Sequence, residues 1–211
     1  MNFLKKVGKV AVWFFIVIFV AFVILVIVRM FHFANLKKTA AMVEKIHATK
    51  LSLDDVMGKN LPPDPGAEAD KTVAGIDANQ NGIRDDVELA IFKEYPNSAK
   101  TRAVLLQYAL ALQMEAVQMV VNGGTVTEVA TEQSRADTCL ADTLVPRKTP
   151  ESSREYSDIE KIDIFINFLE DKQFNIEIRK EAHKDFYKGN LGSYGESTNK
   201  TCDIDYANIT N

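Results

Sequence analysis

The stretch from Val10 to Val28 constrains this chain most, because its nineteen residues include no charged residue, proline, glycine, serine or asparagine. At about 1.5 Å per residue, a helix of this length spans about 28 Å, close to the roughly 30 Å hydrocarbon thickness of a bilayer. A helix in the core of a soluble protein is rarely this long and apolar on every side. The stretch therefore predicts a transmembrane helix over 10–28.

A cleaved signal peptide is the nearest alternative interpretation. Its apolar region normally covers about 7–15 residues and ends at a site of small residues. Here the apolar run is longer, and it continues into Arg29–Phe33, which contains no small residue. We therefore expect an uncleaved signal anchor that remains in the lipid bilayer.

The charges beside the apolar stretch bear on its orientation. Three lysines lie within residues 1–9, and Arg29, Lys37 and Lys38 follow the stretch before the first acidic residue, Glu44. The numbers of basic residues on the two sides of the apolar stretch are therefore nearly equal, so the tendency of basic residues to lie on the cytoplasmic side gives little indication of orientation. Long domains also cross a membrane largely regardless of charge. Because so short a tail precedes the helix, we expect residues 1–9 to be cytoplasmic and the rest of this single-pass chain to be extracytoplasmic.

The composition excludes several classes of protein. With 46% apolar and 26% charged residues, the chain can form a packed core and is not expected to be disordered throughout. Its net charge of −4 argues against a basic surface that binds nucleic acid. Two cysteines are too few for a disulfide-dense scaffold or for a structural zinc site made of cysteines alone.

The part beyond the anchor divides into four predicted regions. Residues 29–57 carry apolar positions three and four residues apart and predict a membrane-proximal helical stalk. Residues 58–76 contain three of the six prolines and predict a linker. Residues 77–188 predict a helical domain, and residues 189–211 predict a polar tail. No run alternates apolar and polar residues as a strand does, so the predicted fold is all-α.

A helix over 98–121 is expected at the centre of the domain, because its apolar residues form two stripes rather than one. Asn122–Gly124 supplies the residues that commonly end a helix. Further helices are predicted over 85–95, over 125–144, from 157 onward and over 175–188. The domain should therefore be a small bundle around one buried helix.

The twelve residues from Asp77 to Glu88 carry the main chemical signal. Calcium prefers six to eight oxygen ligands, and a tight loop can provide them at alternate positions around a glycine turn. The candidates are side-chain oxygens of Asp77, Asn79, Asn81, Asp85 and Glu88 and the backbone carbonyl of Ile83, with Gly82 at the turn. The segment resembles the calcium loop of EF-hand proteins and the shorter loops of thrombospondin type 3 and dockerin-like repeats. The resemblance implies Ca²⁺ as the bound ion.

The segment also departs from the EF-hand pattern. Arg84 occupies a position that EF-hand loops usually fill with an aliphatic residue, and Pro65 and Gly66 argue against a helix that enters the loop. A single loop with two neutral asparagine ligands implies a weak affinity, about 10⁻⁴–10⁻³ M, which suits a site outside the cell.

A turn without metal is the alternative interpretation of these residues. Asn81 and Gly82 are typical turn residues, and Asp85 with Glu88 fits a helix capping box. This alternative does not explain Asp77 and Asn79, whose spacing also matches that of calcium ligands.

Cys139 and Cys202 are the only cysteines, and outside the cytoplasm two thiols usually pair. A disulfide between them would close a loop of about 64 residues and stabilise the fold by about 4 kcal/mol. Two free thiols remain the alternative. His47 and His183 lie in polar helical sequences, so we expect both to be solvated surface residues.

Together these features predict an anchored extracytoplasmic calcium-binding protein, a non-catalytic binding or scaffold module of the cell envelope. It would have the bilayer and an unidentified envelope protein as partners and would not bind nucleic acid. The chain as a whole resembles bacterial envelope proteins that carry one such loop. A cell-envelope hydrolase with catalytic acids in the helical domain and an accessory subunit of a membrane complex are the alternatives.

Overall fold

A computed structural model describes residues 2–149, 152–188, 192, 197, 199–205 and 209. Within that part of the chain there are seven α-helices, one short 3₁₀ helix and no strand. The predicted all-α fold is confirmed. The chain divides into two compact units, Met1–Ala41 and Met42–Asn211.

The first unit consists of helix α1, which runs from Asn2 to Ala48 and continues into the second unit. Its apolar segment is long enough to cross a membrane, and none of its side chains between Val12 and Phe33 is buried by protein. An apolar helix without protein around it needs another apolar environment. The structure thus agrees with the predicted membrane-spanning length.

The second unit begins earlier than the sequence indicated. Residues 29–57 were expected to form a stalk and residues 58–76 a linker, but the division falls between Ala41 and Met42. Ile46, Leu51 and Val56 are buried in the core of the second unit. The end of α1 and the short helix α2, Leu53–Val56, therefore belong to the folded domain.

The remaining helices follow the predicted order closely. They are α3 (Asp85–Glu94), α4 (Ala99–Val117), α5 (Gly123–Leu144), α6 (Tyr156–Gln173) and α7 (Glu177–Phe186). Helix α4 packs against α2, α3, α5, α6 and α7, and all of its residues from Arg102 to Glu115 are buried. The predicted central helix is confirmed. It stops at Val117 rather than at 121, and Met119 beyond it is exposed.

The segment between α2 and α3 is irregular but fastened to the domain. It contains a 3₁₀ helix, Gly66–Asp70, with Ala69 buried. The fully buried guanidinium of Arg179 in α7 donates hydrogen bonds to the carbonyls of Ala69, Thr72 and Val73 and contacts the Asp70 carboxylate at 3.0 Å. A carbonyl that is buried without a partner is costly, so these bonds keep the segment in place.

The described part of the C-terminal segment is joined to α5 by a disulfide. Cys139 and Cys202 are bonded with a Cα–Cα distance of 5.2 Å, which confirms the predicted pairing. Next to it, the buried Asp203 carboxylate accepts a bond from Arg135 Nη1 at 2.8 Å and from the Leu51 amide at 3.1 Å. Most of the predicted tail over 189–211 lies outside the described residues.

We expect the double variant Cys139→Ser/Cys202→Ser to lose about 4 kcal/mol in its free energy of unfolding, because the closed loop restricts the unfolded chain. Urea unfolding of the full chain in detergent measures this difference. A reducing agent should lower the stability of the wild type by a similar amount and leave the variant unchanged. Equal stabilities of variant and oxidised wild type would contradict the expectation.

Candidate functional site

Asp85, the first residue of α3, closes the loop 77–88 through hydrogen bonds to the residues on either side of Asp77. Its amide donates to the Ile76 carbonyl at 2.9 Å, and its carboxylate accepts a hydrogen bond from the Ala78 amide at 3.0 Å. The side chain is fully buried, and this burial raises the pKa of the carboxyl. Asp85 therefore sets the shape of the loop from within the protein.

The turn inside the loop is built around the Asp77 carboxylate. Its Oδ1 accepts from the Asn81 amide at 3.1 Å, and its Oδ2 accepts from the Gly82 amide at 2.9 Å. Gln80 and Gly82 have φ angles of 58° and 87°, in the left-handed region. A Cβ at position 82 would also lie 2.7 Å from Leu110 Cδ1, so the turn requires glycine there for two reasons.

Glu88 is the least compensated polar group of the loop. Its side chain is fully buried. Its Oε2 accepts hydrogen bonds from Asn79 Nδ2 and Asn81 Nδ2, both at 3.0 Å, whereas its Oε1 has no hydrogen-bond partner among the described residues. Burial raises the pKa of this carboxyl to about 7, against the effect of the two amide bonds and with the nearby charges of Asp55 and Asp85 adding to the increase.

Arg84 occupies the position that is usually aliphatic in EF-hand loops, and in this protein it anchors the loop. Its guanidinium is fully buried, pairs with Asp86 at 2.5 Å, and donates to the carbonyls of Lys172 and Gln173 at the end of α6. The preceding residue, Ile83, is also fully buried and donates its amide to Asn81 Oδ1 at 2.9 Å. The C-terminal half of the loop is thus held by the core.

A cavity of about 510 Å³ lies beside the loop. Asp77, Asn79 and Asn81 line it from the loop. Thr49 and Asp55 line it from the segment that follows α1. Asp55 is not among the predicted ligand residues, and in the structure it forms a capping box with Ser52 at the start of α2.

Five of the six predicted ligand residues are linked by hydrogen bonds within the loop, namely Asp77, Asn79, Asn81, Ile83 and Glu88. The carboxylate of the sixth, Asp85, accepts from the Ala78 amide instead. Among the described residues, no group of three or more His, Cys, Asp or Glu side chains has an arrangement that could hold a metal ion. The three carboxylates of the loop, Asp77, Asp85 and Glu88, therefore do not form such a group, and the other three candidate oxygens are asparagine amides or a backbone carbonyl. Amide and carbonyl oxygens are ordinary calcium ligands.

A second polar cluster surrounds Glu115, which is buried in α4. His183 Nδ1 lies 2.9 Å from Glu115 Oε2, and the Tyr187 hydroxyl donates to Oε1 at 2.5 Å. His183 was expected to be a solvated surface residue, but it is only partly exposed, because its ring contacts Glu115 in α4 and lies against Phe174 at a centroid distance of 4.4 Å. The contact with Glu115 raises the pKa of His183, and its charge together with that of Glu170 contributes.

The Glu115–His183 pair gives a pH-dependent contribution to stability. Because the pKa of His183 is higher in the folded state, this contribution is complete below the unfolded value, about 6.5, and is lost as the pH rises through the folded value. We expect the stability difference between wild type and Glu115→Gln to shrink by about 1 kcal/mol or less from pH 6 to pH 9, since the histidine is partly exposed. Urea unfolding at both pH values measures it, and a constant difference would contradict the expectation.

No protein-family model, no curated protein and no solved structure matches this chain.

Proposed function

We propose that this protein is anchored in a membrane by α1 and binds calcium through residues 77–88 of an extracytoplasmic helical domain. The observation that carries the proposal is Glu88, a fully buried carboxylate with one oxygen that has no hydrogen-bond partner among the described residues. A buried carboxylate is costly unless a cation or sufficient hydrogen bonds compensate it. A divalent cation beside Glu88 would supply that compensation.

The surrounding donors favour calcium over softer metals. Asn79 and Asn81 contact Glu88 through their side-chain amides, and Asp77 accepts a hydrogen bond from the backbone amide of Asn81. The two asparagine amides direct N–H groups at Glu88 Oε2, where they partly compensate its charge. Rotation of each amide by 180° would present an oxygen instead, with loss of the hydrogen bonds that the two amide oxygens accept from the Asn81 and Ile83 backbone amides. A set of hard oxygen ligands suits calcium.

We assign calcium a structural role. Arg84 and Asp85 fix the C-terminal half of the loop by buried contacts, so the ion would meet a largely formed site. An ion that binds only the folded state stabilises that state. Residues 57–84, all of them described, contain no α-helix, so the loop is not framed by the helix pair that opens in calcium sensors.

An extracytoplasmic location is supported by two features. The disulfide between Cys139 and Cys202 suits an oxidising compartment. A site with neutral asparagine ligands suits the higher calcium concentrations outside a cell. We propose a non-catalytic binding or scaffold role with an envelope protein as partner, because the buried carboxylates of Asp85 and Glu88 are suited to an ion and are not accessible to a larger substrate.

We expect calcium at about 10 mM to raise the free energy of unfolding of the full chain in detergent by about 1.4–2.7 kcal/mol over the value in EGTA, given a dissociation constant of about 10⁻⁴–10⁻³ M. The variant Glu88→Gln should lose this increase, because it removes the ligand charge. In EGTA it should be at least as stable as the wild type, because a neutral amide replaces an incompletely compensated buried carboxylate. Thermal or urea unfolding measures both effects.

Glu94→Gln is the matched control, since it makes the same change on the same helix at an exposed position outside the loop. It should respond to calcium as the wild type does. A wild type that unfolds at the same temperature in EGTA and in calcium would show that the loop is a turn without a metal site.

The proposed orientation is tested by fusing alkaline phosphatase, which becomes active only where its disulfides form, to the C-terminus of the chain in a bacterial host. We expect an active fusion after residue 211 and an inactive fusion after residue 9, which lacks the apolar helix. An inactive C-terminal fusion together with a fluorescent cytoplasmic reporter at the same position would reverse the orientation.

A further inference from the structure

We propose that the α4–α5 loop, residues 118–122, is a second membrane contact whose partner is the lipid bilayer that holds α1. This inference rests on the proposed function, since it needs α1 to lie in a membrane. It adds that the folded domain touches the membrane surface through its own residues as well as being tethered to it by α1.

The α4–α5 loop and its flanks are apolar and uncharged. Residues 116–127 contain no charged residue, in a chain of which 26% of the residues are charged. Met119 is 67% exposed, and Val117 and Val120 are exposed beside it. Large apolar side chains that are grouped on a surface mark a contact with a protein or a membrane.

The exposed side chains stand on a backbone that is fixed at both ends. The Gln118 amide donates to the Met114 carbonyl of α4 at 2.8 Å, and the Val121 amide donates to Thr125 Oγ1 of α5 at 3.1 Å. The exposure of Met119 between these bonds is therefore a property of the folded loop. A contact surface that is already formed loses little conformational entropy on binding.

Two contacts place this connection beside the part of α1 that belongs to the domain. The Gln118 side-chain amide donates to Met42 Sδ, and His47 Nε2 lies 3.0 Å from Glu128 Oε2 in the first turns of α5. Met42 is the first residue of the second unit. Gln118 thus contacts α1 at the end of the domain from which this helix leads to its apolar segment.

The distance along α1 brings the loop within reach of the bilayer. Met42 follows the apolar residue Phe33 by nine residues, which corresponds to about 13 Å of helix. The headgroup layer takes up about 5–8 Å of this distance, and membrane helices are commonly tilted by about 20°. Because α1 already holds the domain at the membrane, a few apolar side chains are enough for a contact.

A bilayer suits the loop better than a protein partner. The tether of α1 keeps lipid permanently close to the loop, whereas a second copy or another protein would have to diffuse to it. Charged side chains are costly in the apolar part of a membrane, and residues 116–127 have none. Met119 and Val120 are the side chains that we expect to enter the interfacial layer.

A fluorescent label at position 119 tests the contact in the full chain reconstituted into lipid vesicles. The variant Met119→Cys can be labelled selectively with an environment-sensitive dye, because Cys139 and Cys202 are bonded to one another. We expect blue-shifted emission that spin-labelled lipids quench. Both directions of insertion give this result, since the loop meets a leaflet on either side of the vesicle.

Tyr156→Cys is the matched control at another exposed position, where the side chain is 77% exposed. Arg154, two residues earlier, is bonded to Asp142 near the end of α5. Helix α5 begins directly after the α4–α5 loop, and its 22 residues extend over about 33 Å. A label at 156 is thus far from the loop and should emit as in water, without quenching by lipids.

An embedded chain whose label at 119 emits as in water and is not quenched would overturn the membrane contact of the loop and leave the anchor intact. Blue-shifted emission that grows with the protein-to-lipid ratio and is not quenched by lipids would assign the loop to a second copy of the chain instead. A chain that alkaline carbonate removes from the vesicles would overturn the proposed membrane anchor as well.

Discussion

The buried guanidinium groups of Arg84, Arg102, Arg135 and Arg179 hold the non-helical backbone of this protein against its helices. Each donates to backbone carbonyls of segments that lie outside the helices or at their ends. A buried carbonyl without a partner costs about 1–3 kcal/mol, and a buried guanidinium without acceptors costs more. Each buried guanidinium therefore needs these carbonyls as acceptors, and the carbonyls need the guanidinium as a donor. The non-helical segments thus depend on the packing of the helices.

The candidate calcium site inherits its shape from these contacts. Arg84 fastens the C-terminal half of the loop to the end of α6, and Arg179 fastens the segment that leads into the loop. Glu88, which lies in α3 beside these contacts, is fully buried from solvent. Burial makes the Glu88 carboxylate costly without a compensating charge, and the same burial would strengthen its attraction to a cation.

Much of the fold could be predicted from local patterns. The apolar stretch over 10–28, the central helix α4 and the Cys139–Cys202 pair follow from composition, periodicity and a cysteine count that leaves one pairing. The start of the folded domain could not be predicted, because Ile46, Leu51 and Val56 form too short an apolar series to reveal what buries them. Their burial depends on α4 and other elements distant in sequence.

The sequence by itself determined that this chain has a membrane-length apolar helix, an all-α domain and an oxygen-rich loop at 77–88, because each of these is a property of neighbouring residues. Only the tertiary structure decided that Glu88 is buried with one oxygen that has no hydrogen-bond partner among the described residues, that Asp55 lines the cavity beside the loop and that His183 contacts Glu115. The physical reason is that burial and charge pairing depend on elements far apart in the chain, and local spacing does not record them.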